Sequence, residues 1–261
     1  MRRRDFLGLA ALIGLGGCRF EESPYSAKPS QKNLNPKNIA HITALSQSTT
    51  EPFRIGVVSD THTYYDDYLK VIRDIRGKNS CDFLLHCGDV TDSGLLREYE
   101  WGDEIIRKAD LPYVTVIGNH DALANGKTIF LEMYGYYNVS FEYNRAHVIV
   151  FNNNNWEFGV DVPDFDWLEA ELAAKPLGEV KIVAAHISPF DNDRFNTAQQ
   201  SRFHTLMQTY SVSCVVGGHN HNHAATVKDG IAYITVGSVS KKNYVTLDVT
   251  ATGVSMEKVD V

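Results

Sequence analysis

Cysteine is scarce in this chain. Four occur in 261 residues, at Cys18, Cys81, Cys87 and Cys214, and their spacing forms neither a CxxC pair nor a zinc knuckle. With Cys18 read as a processing site, three are left, which excludes a full disulfide framework. Cys81, Cys87 and Cys214 read as small buried hydrophobes beside strands; one bridge plus one free thiol is the alternative. Positive charge is also short. The formal net charge is −7, and once residues 1–17 are set aside with Arg2, Arg3, Arg4 and Asp5 it is −9. So acidic a domain is poorly suited to tracking a nucleic-acid backbone, which needs a basic groove. The apolar stretch 7–17 is too short and too rich in glycine to span a bilayer well. There is no internal repeat and no sign of a second domain. What the chain does have is 43% hydrophobic residues, enough for one globular domain with a sizeable core.

The first eighteen residues, MRRRDFLGLAALIGLGGC, read as a signal: a basic start, then an apolar core. Arg3-Arg4-Asp5-Phe6-Leu7 resembles the twin-arginine export motif, although Arg2 stands where Ser or Thr is usual. Leu15-Gly16-Gly17-Cys18 resembles a lipobox, with Gly16 a less common choice. The expectation is export to a bacterial cell envelope, periplasm or cell surface, with a lipid on Cys18 holding the protein to a membrane. A cleaved signal without lipid and an uncleaved anchor are the alternatives. Residues 19–51 are polar, lack apolar periodicity and read as a flexible linker. The folded domain is expected over 52–261.

Within it, apolar runs at 53–59, 83–86, 113–117, 180–185 and 212–216 read as strands. Helical spacing covers 67–76, 94–109, 165–174 and 196–210. The pair 139–143 and 146–152 turns around Asn144-Arg145. From 224 onward short strands dominate, at 224–227, 231–236, 244–249 and 254–258. Strands alternating with helices imply βαβ units and an α/β fold with parallel strands.

Five polar clusters each follow an apolar run: Asp60-Thr61-His62, Gly88-Asp89, Gly118-Asn119-His120-Asp121, His186, and Gly218-His219-Asn220-His221. In open α/β sheets sites gather at the carboxyl ends of strands, so the order predicts one convergent site. Asp60 and His62, two apart, would point the same way if the chain stays extended. Asp89 offers a carboxylate able to bridge two cations, Asn119 an amide oxygen, and His186, His219 and His221 imidazoles. Mixed nitrogen and oxygen donors suit Mn, Fe, Zn or Ni rather than Ca. Singly, each cluster has an ordinary explanation, such as a helix cap or a solvated loop; their joint occurrence in order argues otherwise.

Taken together, D-x-H, G-D-x-x-D, G-N-H-D, a lone His and G-H-x-H resemble the motif set of the calcineurin-like metallophosphoesterases, over about residues 53–238. The resemblance implies a single-domain, two-sheet α/β/β/α sandwich. It implies two divalent metal ions, one held by Asp60, His62, Asp89 and His221, the other by Asp89, Asn119, His186 and His219. It implies a water activated between them to attack a phosphoester, and His120 as a proton donor to the leaving oxygen or a stabiliser of charge. Asp92 either orients His120 as a hydrogen-bond acceptor or caps the following helix.

Departures from the family narrow the reading. Ser93 stands where the Ser/Thr protein phosphatases carry Arg, and Asp121 ends the tetrad where they carry Glu. Asp92 stands where purple acid phosphatases use a Tyr ligand. There is no room for the large second domain of nucleotidases. The expectation is therefore a small exported phosphodiesterase acting on a phosphoester small molecule or a phosphorylated envelope component. A phosphomonoesterase, a nuclease (against the acidic charge) and a non-catalytic metal-dependent scaffold are the rivals. His86 reads as a buried strand histidine, and His41, His147 and His204 as structural or exposed. Asn152–Asn155 reads as a plain turn rather than a substrate loop. Tyr64, Tyr65, Tyr134, Tyr136, Tyr137 and Trp156 read as packing rather than base-stacking residues. The oligomeric state is not legible.

Overall fold

The computed structural model describes residues 23, 25–47, 51–175 and 179–261. The export motif, the lipobox and Cys18 lie outside the described residues.

Strand β1 (Phe53–Val58) leads into helix α2 (Tyr65–Lys78), β2 (Phe83–His86) into α3 (Leu96–Ile106), and β3 (Tyr113–Thr115) into α4 (Gly126–Met133). A hairpin of β4 (Val139–Tyr143) and β5 (Ala146–Val150) follows, then α5 (Asn155–Phe158), α6 (Phe165–Ala173), β6 (Val180–Ala184), α7 (Thr197–Thr209) and β7 (Cys214–Gly217). The chain ends with β8 (Ala224–Lys228), β9 (Ile231–Thr235), β10 (Asn243–Thr250) and β11 (Gly253–Asp260). One sheet has the order β11-β10-β1-β2-β3, the other β4-β5-β6-β7-β9-β8. Strands β1, β2 and β3 run parallel, as do β5, β6, β7 and β9.

Both faces of the central strands are apolar, because each sheet is covered twice. Ile55, Val57, Phe83 and Leu85 meet Val148, Val150, Ile182 and Val216 between the sheets. The alternate residues turn outward: Val58 and Leu84 lie under α2, α3 and α4 with Ile72 and Tyr99, and Val183 and Val215 lie under α6 and α7 with Leu168 and Met207. Each such buried side chain contributes about 1.5–3 kcal/mol of burial free energy. The architecture is the expected α/β/β/α sandwich in a single domain.

The hairpin expected around Asn144-Arg145 is present. Asn144 and Arg145 both have positive φ, 44° and 67°, as a two-residue hairpin turn requires. Asp164 caps α6 by accepting from Trp167 N, and Asn196 caps α7 by accepting from Gln199 N.

One expectation needs correction. The span 19–51 is not a linker throughout: Leu34–Leu45 forms helix α1, docked on the edge of the sandwich. Leu34 and Ile42 are buried, and the buried Asn35 side chain both donates to Thr115 O (2.8 Å) and accepts from Thr115 N (2.9 Å). Two apolar anchors and one polar clamp hold this helix, so no apolar stripe marks it in the sequence. Helix α4 also goes unmarked there.

Candidate metal centre

The carboxyl ends of β1, β2, β3, β6 and β7 open onto one end of the sandwich, and the five clusters meet there. The local geometry is not the extended chain expected for Asp60 and His62. Asp60 (φ 52°), His62 (43°), Asp89 (55°), His219 (71°) and His221 (57°) all adopt left-handed backbone. None is glycine, so each costs about 1–2 kcal/mol, and the surroundings hold them there. Asp60 N donates to Gly88 O, Thr61 N and His62 N to Asp89 O, and Ser238 Oγ to Asp60 O. His219 N donates to both Asp60 carboxylate oxygens at 3.1 Å. Gly218 is required at the tightest approach, where a Cβ would collide with Ser59 Oγ and Asp60 Oδ2.

Two donor groups result. Asp60, His62, Asp89 and His221 place donor atoms within 4.8 Å of one another, and so do Asp89, His186 and His219. Asp89 belongs to both. The Asn119 amide oxygen joins the second group, 3.0 Å from His186 Nε2 and 2.9 Å from His219 Nδ1. All seven residues assigned from the sequence as ligands are thus brought together.

Electrostatics show what this cluster wants. His186 Nδ1 faces the Cys87 carbonyl at 2.7 Å and must donate to it, which turns Nε2 toward Asn119 Oδ1 and Asp89 Oδ2 (3.2 Å). Acceptor faces acceptor there, unless a proton or a cation intervenes. Burial opposes a charge on His186, yet Asp89 pushes it up to about 9. Burial likewise opposes a charge on Asp89, but His186, His120 and His62 hold its carboxyl well below the ordinary range. Burial pushes Asp60 up to about 7, with Asp89 adding to the rise. His62 and His221, whose Nε2 atoms are 3.1 Å apart, and His219, brought down to about 4, are held neutral chiefly by burial. The imidazoles of His62, His219 and His221, held neutral, and the inward Nε2 of His186 converge with the Asp60 and Asp89 carboxylates, a donor set that fits two divalent cations, which would displace the proton His186 otherwise keeps.

His120 stands beside this cluster, half buried, its ring edge-on to His62 at 4.7 Å between centroids. Its backbone N donates to Asp89 Oδ1 (2.9 Å). Its Nδ1 donates to the Asp92 backbone carbonyl (2.7 Å), leaving Nε2 outward. Asp92 therefore orients His120 through the main chain, not through its carboxylate, which lies 3.3 Å from His62 Nδ1. Nor does Asp92 cap α3: Glu98 does so, accepting from Ser93 N and Leu95 N.

Other residues complete the frame. Asp121 is buried and accepts from Gly118 N, Val90 N, Thr91 N and Thr91 Oγ1, tying the loop after β2 to the loop after β3. Burial pushes its carboxyl up to about 6. Asn152, Asn153 and Asn154 are also buried, and do more than make a turn. Asn153 exchanges two bonds with Ile187, next to His186, and Asn154 Nδ2 donates to Ile117 O, two residues before Asn119. Four successive asparagines after a buried strand were the available signal. Asp191 Oδ2, 3.8 Å from His219 Nε2, was not marked at all. His86 is a buried strand histidine as expected. His147 is buried near Glu171, His204 bonds Tyr233 and Asp229, and His41 is exposed. Cys81, Cys87 and Cys214 are buried free thiols.

The calcineurin-like phosphoesterase family model matches residues 53–223. The chain belongs to this family. It is 25% identical over 209 residues to a 3′,5′-cyclic-nucleotide phosphodiesterase of Nostoc sp., covering 76% of this chain and 77% of that protein. It is 25% identical over 182 residues to a probable glycerophosphodiester phosphodiesterase of Arcobacter nitrofigilis, covering 61% of this chain and 63% of that one. A dimetal phosphatase from Danio rerio shares the fold, with a TM-score of 0.62 at 12% identity, over 79% of this chain and 99% of that structure. The chain is a metal-dependent phosphoester hydrolase, and its candidate metal-binding residues are those gathered above.

Proposed function

We propose that this protein is a dinuclear phosphodiesterase of the cell envelope, exported and tethered by a lipid on Cys18. The observation that carries the catalytic part is the pair of donor groups sharing Asp89, with His120 alongside. Asp60, His62, Asp89 and His221 would hold one ion, and Asp89, Asn119, His186 and His219 the other. Bound there, two divalent ions would supply Lewis acidity to the phosphoryl oxygens and to a coordinated water. The protein's own part is to place and to protonate. Asp89 fixes the His120 backbone, the Asp92 carbonyl fixes the tautomer, and Nε2 is left to give a proton to the leaving oxygen. The Asp92 and His221 side chains are about half exposed, so the mouth has room for a second ester substituent. Both relatives are named as diesterases, which supports the same preference. The tether reading rests on the sequence around Cys18.

The test is hydrolysis of bis-p-nitrophenyl phosphate and of p-nitrophenyl phosphate by the full chain. The protein is stripped with chelator and reloaded with Mn, Fe(II), Zn or Ni, beside Asp89→Asn and His120→Ala. Turnover restored by metal and abolished by Asp89→Asn is expected, with the diester preferred. Two bound ions without turnover of either ester would favour the scaffold, and preference for the monoester would make it a phosphomonoesterase. Palmitate labelling that Cys18→Ala fails to abolish would remove the tether.

A further inference from the structure

The segment before β1 crosses the whole height of the sandwich. At its far end, Gln47 N donates to Asn144 Oδ1 in the tip of the β4–β5 hairpin, opposite the site. Helix α1 then runs back along the edge, and Asn35 meets Thr115 at the carboxyl end of β3. Asn33 N donates to Glu132 O, Ser30 N to Glu100 Oε1, and finally Asn125 Nδ2 to Tyr25 O at 2.7 Å. Asn125 lies in the loop that carries His120 and Asp121. It is followed by Gly126, whose Cα sits against Asp121 so closely that a Cβ would strike the Asp121 carbonyl. Tyr25, near the start of the described chain, is therefore tied to the loop that carries His120. From Tyr25 back to Cys18 are seven residues, which reach at most about 25 Å fully extended.

The rim of the site exposes apolar side chains. Tyr25, Tyr64, Leu123, Tyr136, Trp156 and Val160 all belong to segments at the site end, and all are exposed, Trp156 by 64% and Val160 completely. Tyr64 follows β1 and His62, Leu123 follows His120, and Trp156 and Val160 follow β5. Trp156 is braced by Arg194, whose guanidinium lies 4.2 Å from its ring centroid, so the indole projects from a fixed base. Tyrosine and tryptophan presented this way suit the headgroup level of a bilayer. With a net charge of −9 once residues 1–17 are set aside, attraction to anionic lipid is not what would drive such contact.

Resting on the lipid-tether reading above, we propose that the catalytic rim is a membrane-docking face. The phosphodiesters it cleaves are then held in a lipid surface. A tether of at most about 25 Å, leaving from Tyr25 where it meets the loop that carries His120, keeps the mouth against the bilayer rather than facing away from it.

The test uses the full chain with Trp101→Phe and Trp167→Phe, so that Trp156 alone reports. It is bound to phosphatidylcholine vesicles with or without brominated acyl chains. Bromine should quench Trp156 about twofold or more, as an indole at the interface requires. Adding Tyr136→Glu with Val160→Glu should abolish quenching. These changes should also cut hydrolysis of a vesicle-borne diacylglycerol p-nitrophenyl phosphodiester about tenfold, while soluble bis-p-nitrophenyl phosphate is turned over within about twofold of the parent. A vesicle-bound, active chain whose Trp156 is unquenched overturns the inference, as does equal loss on both esters. Absence of turnover on bis-p-nitrophenyl phosphate, or vesicle binding unchanged by Cys18→Ala, strikes instead at the hydrolase or tether reading.

Discussion

The imidazole of His120 is held by the main chain of Asp92: Nδ1 donates to the carbonyl oxygen at 2.7 Å, while the Asp92 carboxylate turns to His62 at 3.3 Å. Truncating the Asp92 side chain leaves that carbonyl in place. Asp92→Ala should therefore lower kcat by no more than about tenfold, whereas His120→Ala removes the proposed proton donor and should cost about 10²–10⁴-fold. Steady-state kinetics on bis-p-nitrophenyl phosphate separate the two. Equal losses would return the orienting role to the carboxylate.

Asn153 holds the loop behind His186 by two bonds, donating to Ile187 O at 2.7 Å and accepting from Ile187 N at 3.1 Å, with both residues buried. Asn153→Ala leaves a buried N–H and a buried C=O without partners. The expected destabilisation is about 2–4 kcal/mol, since each orphaned group costs about 1–3 kcal/mol. Urea unfolding of the metal-free protein gives the stability, and metal titration gives the second effect, weaker binding through a displaced His186. A change under 1 kcal/mol (about the worth of one ordinary hydrogen bond) would mean that the loop is held elsewhere.

These residues show where sequence reading succeeds and where it stops. The residues that converge were legible because each stands directly after a buried run such as 53–58 or 180–184, and a polar residue at a strand end needs a reason. The conformation that joins them was not legible: Asp60 and His62 converge through left-handed turns held by Gly88, Asp89 and Ser238, all distant or non-adjacent partners. Sheet order was hidden for the same reason. Phe53 pairs with Val249 and Arg54 with Asp248, and nothing local encodes a partner so far along the chain. The roles of Asp121 and Asn153 depend on bonds between separate loops, which a pattern of single residues does not reveal.

Helix α1 offers a direct check on the span first read as a linker. Asn35 carries its polar contact, with the side chain bridging both backbone groups of Thr115. Asn35→Ala strips those bonds on the edge of β3, and should destabilise the domain by about 2–4 kcal/mol. It should also raise amide exchange across 34–45 ahead of the rest of the protein. Exchange followed by mass spectrometry would show it. Uniform exchange and unchanged stability would restore the picture of a passive tether.

His86 contributes to the acid limb of stability. Burial brings it down to about 3, from an ordinary value of 6.5. Between those two values the unfolded chain holds a proton that the native state refuses, so stability rises with pH through this window and is lost as pH falls from 6.5 toward 3. Asp60 works in the opposite sense: raised to about 7, it keeps its proton in the fold, and its contribution declines as pH rises from 3.8 to 7. Comparing the parent with His86→Gln cancels the shared Asp60 effect, provided both are free of metal. The parent's stability should then rise with pH more steeply than the variant's, by up to about 1.4 kcal/mol per pH unit between pH 4 and 6. Urea midpoints measured at several pH values in chelator give that difference. Parallel curves would show that His86 takes up its proton inside the fold, which its position between Thr61 and the Tyr68 ring, closed to water, is built to prevent.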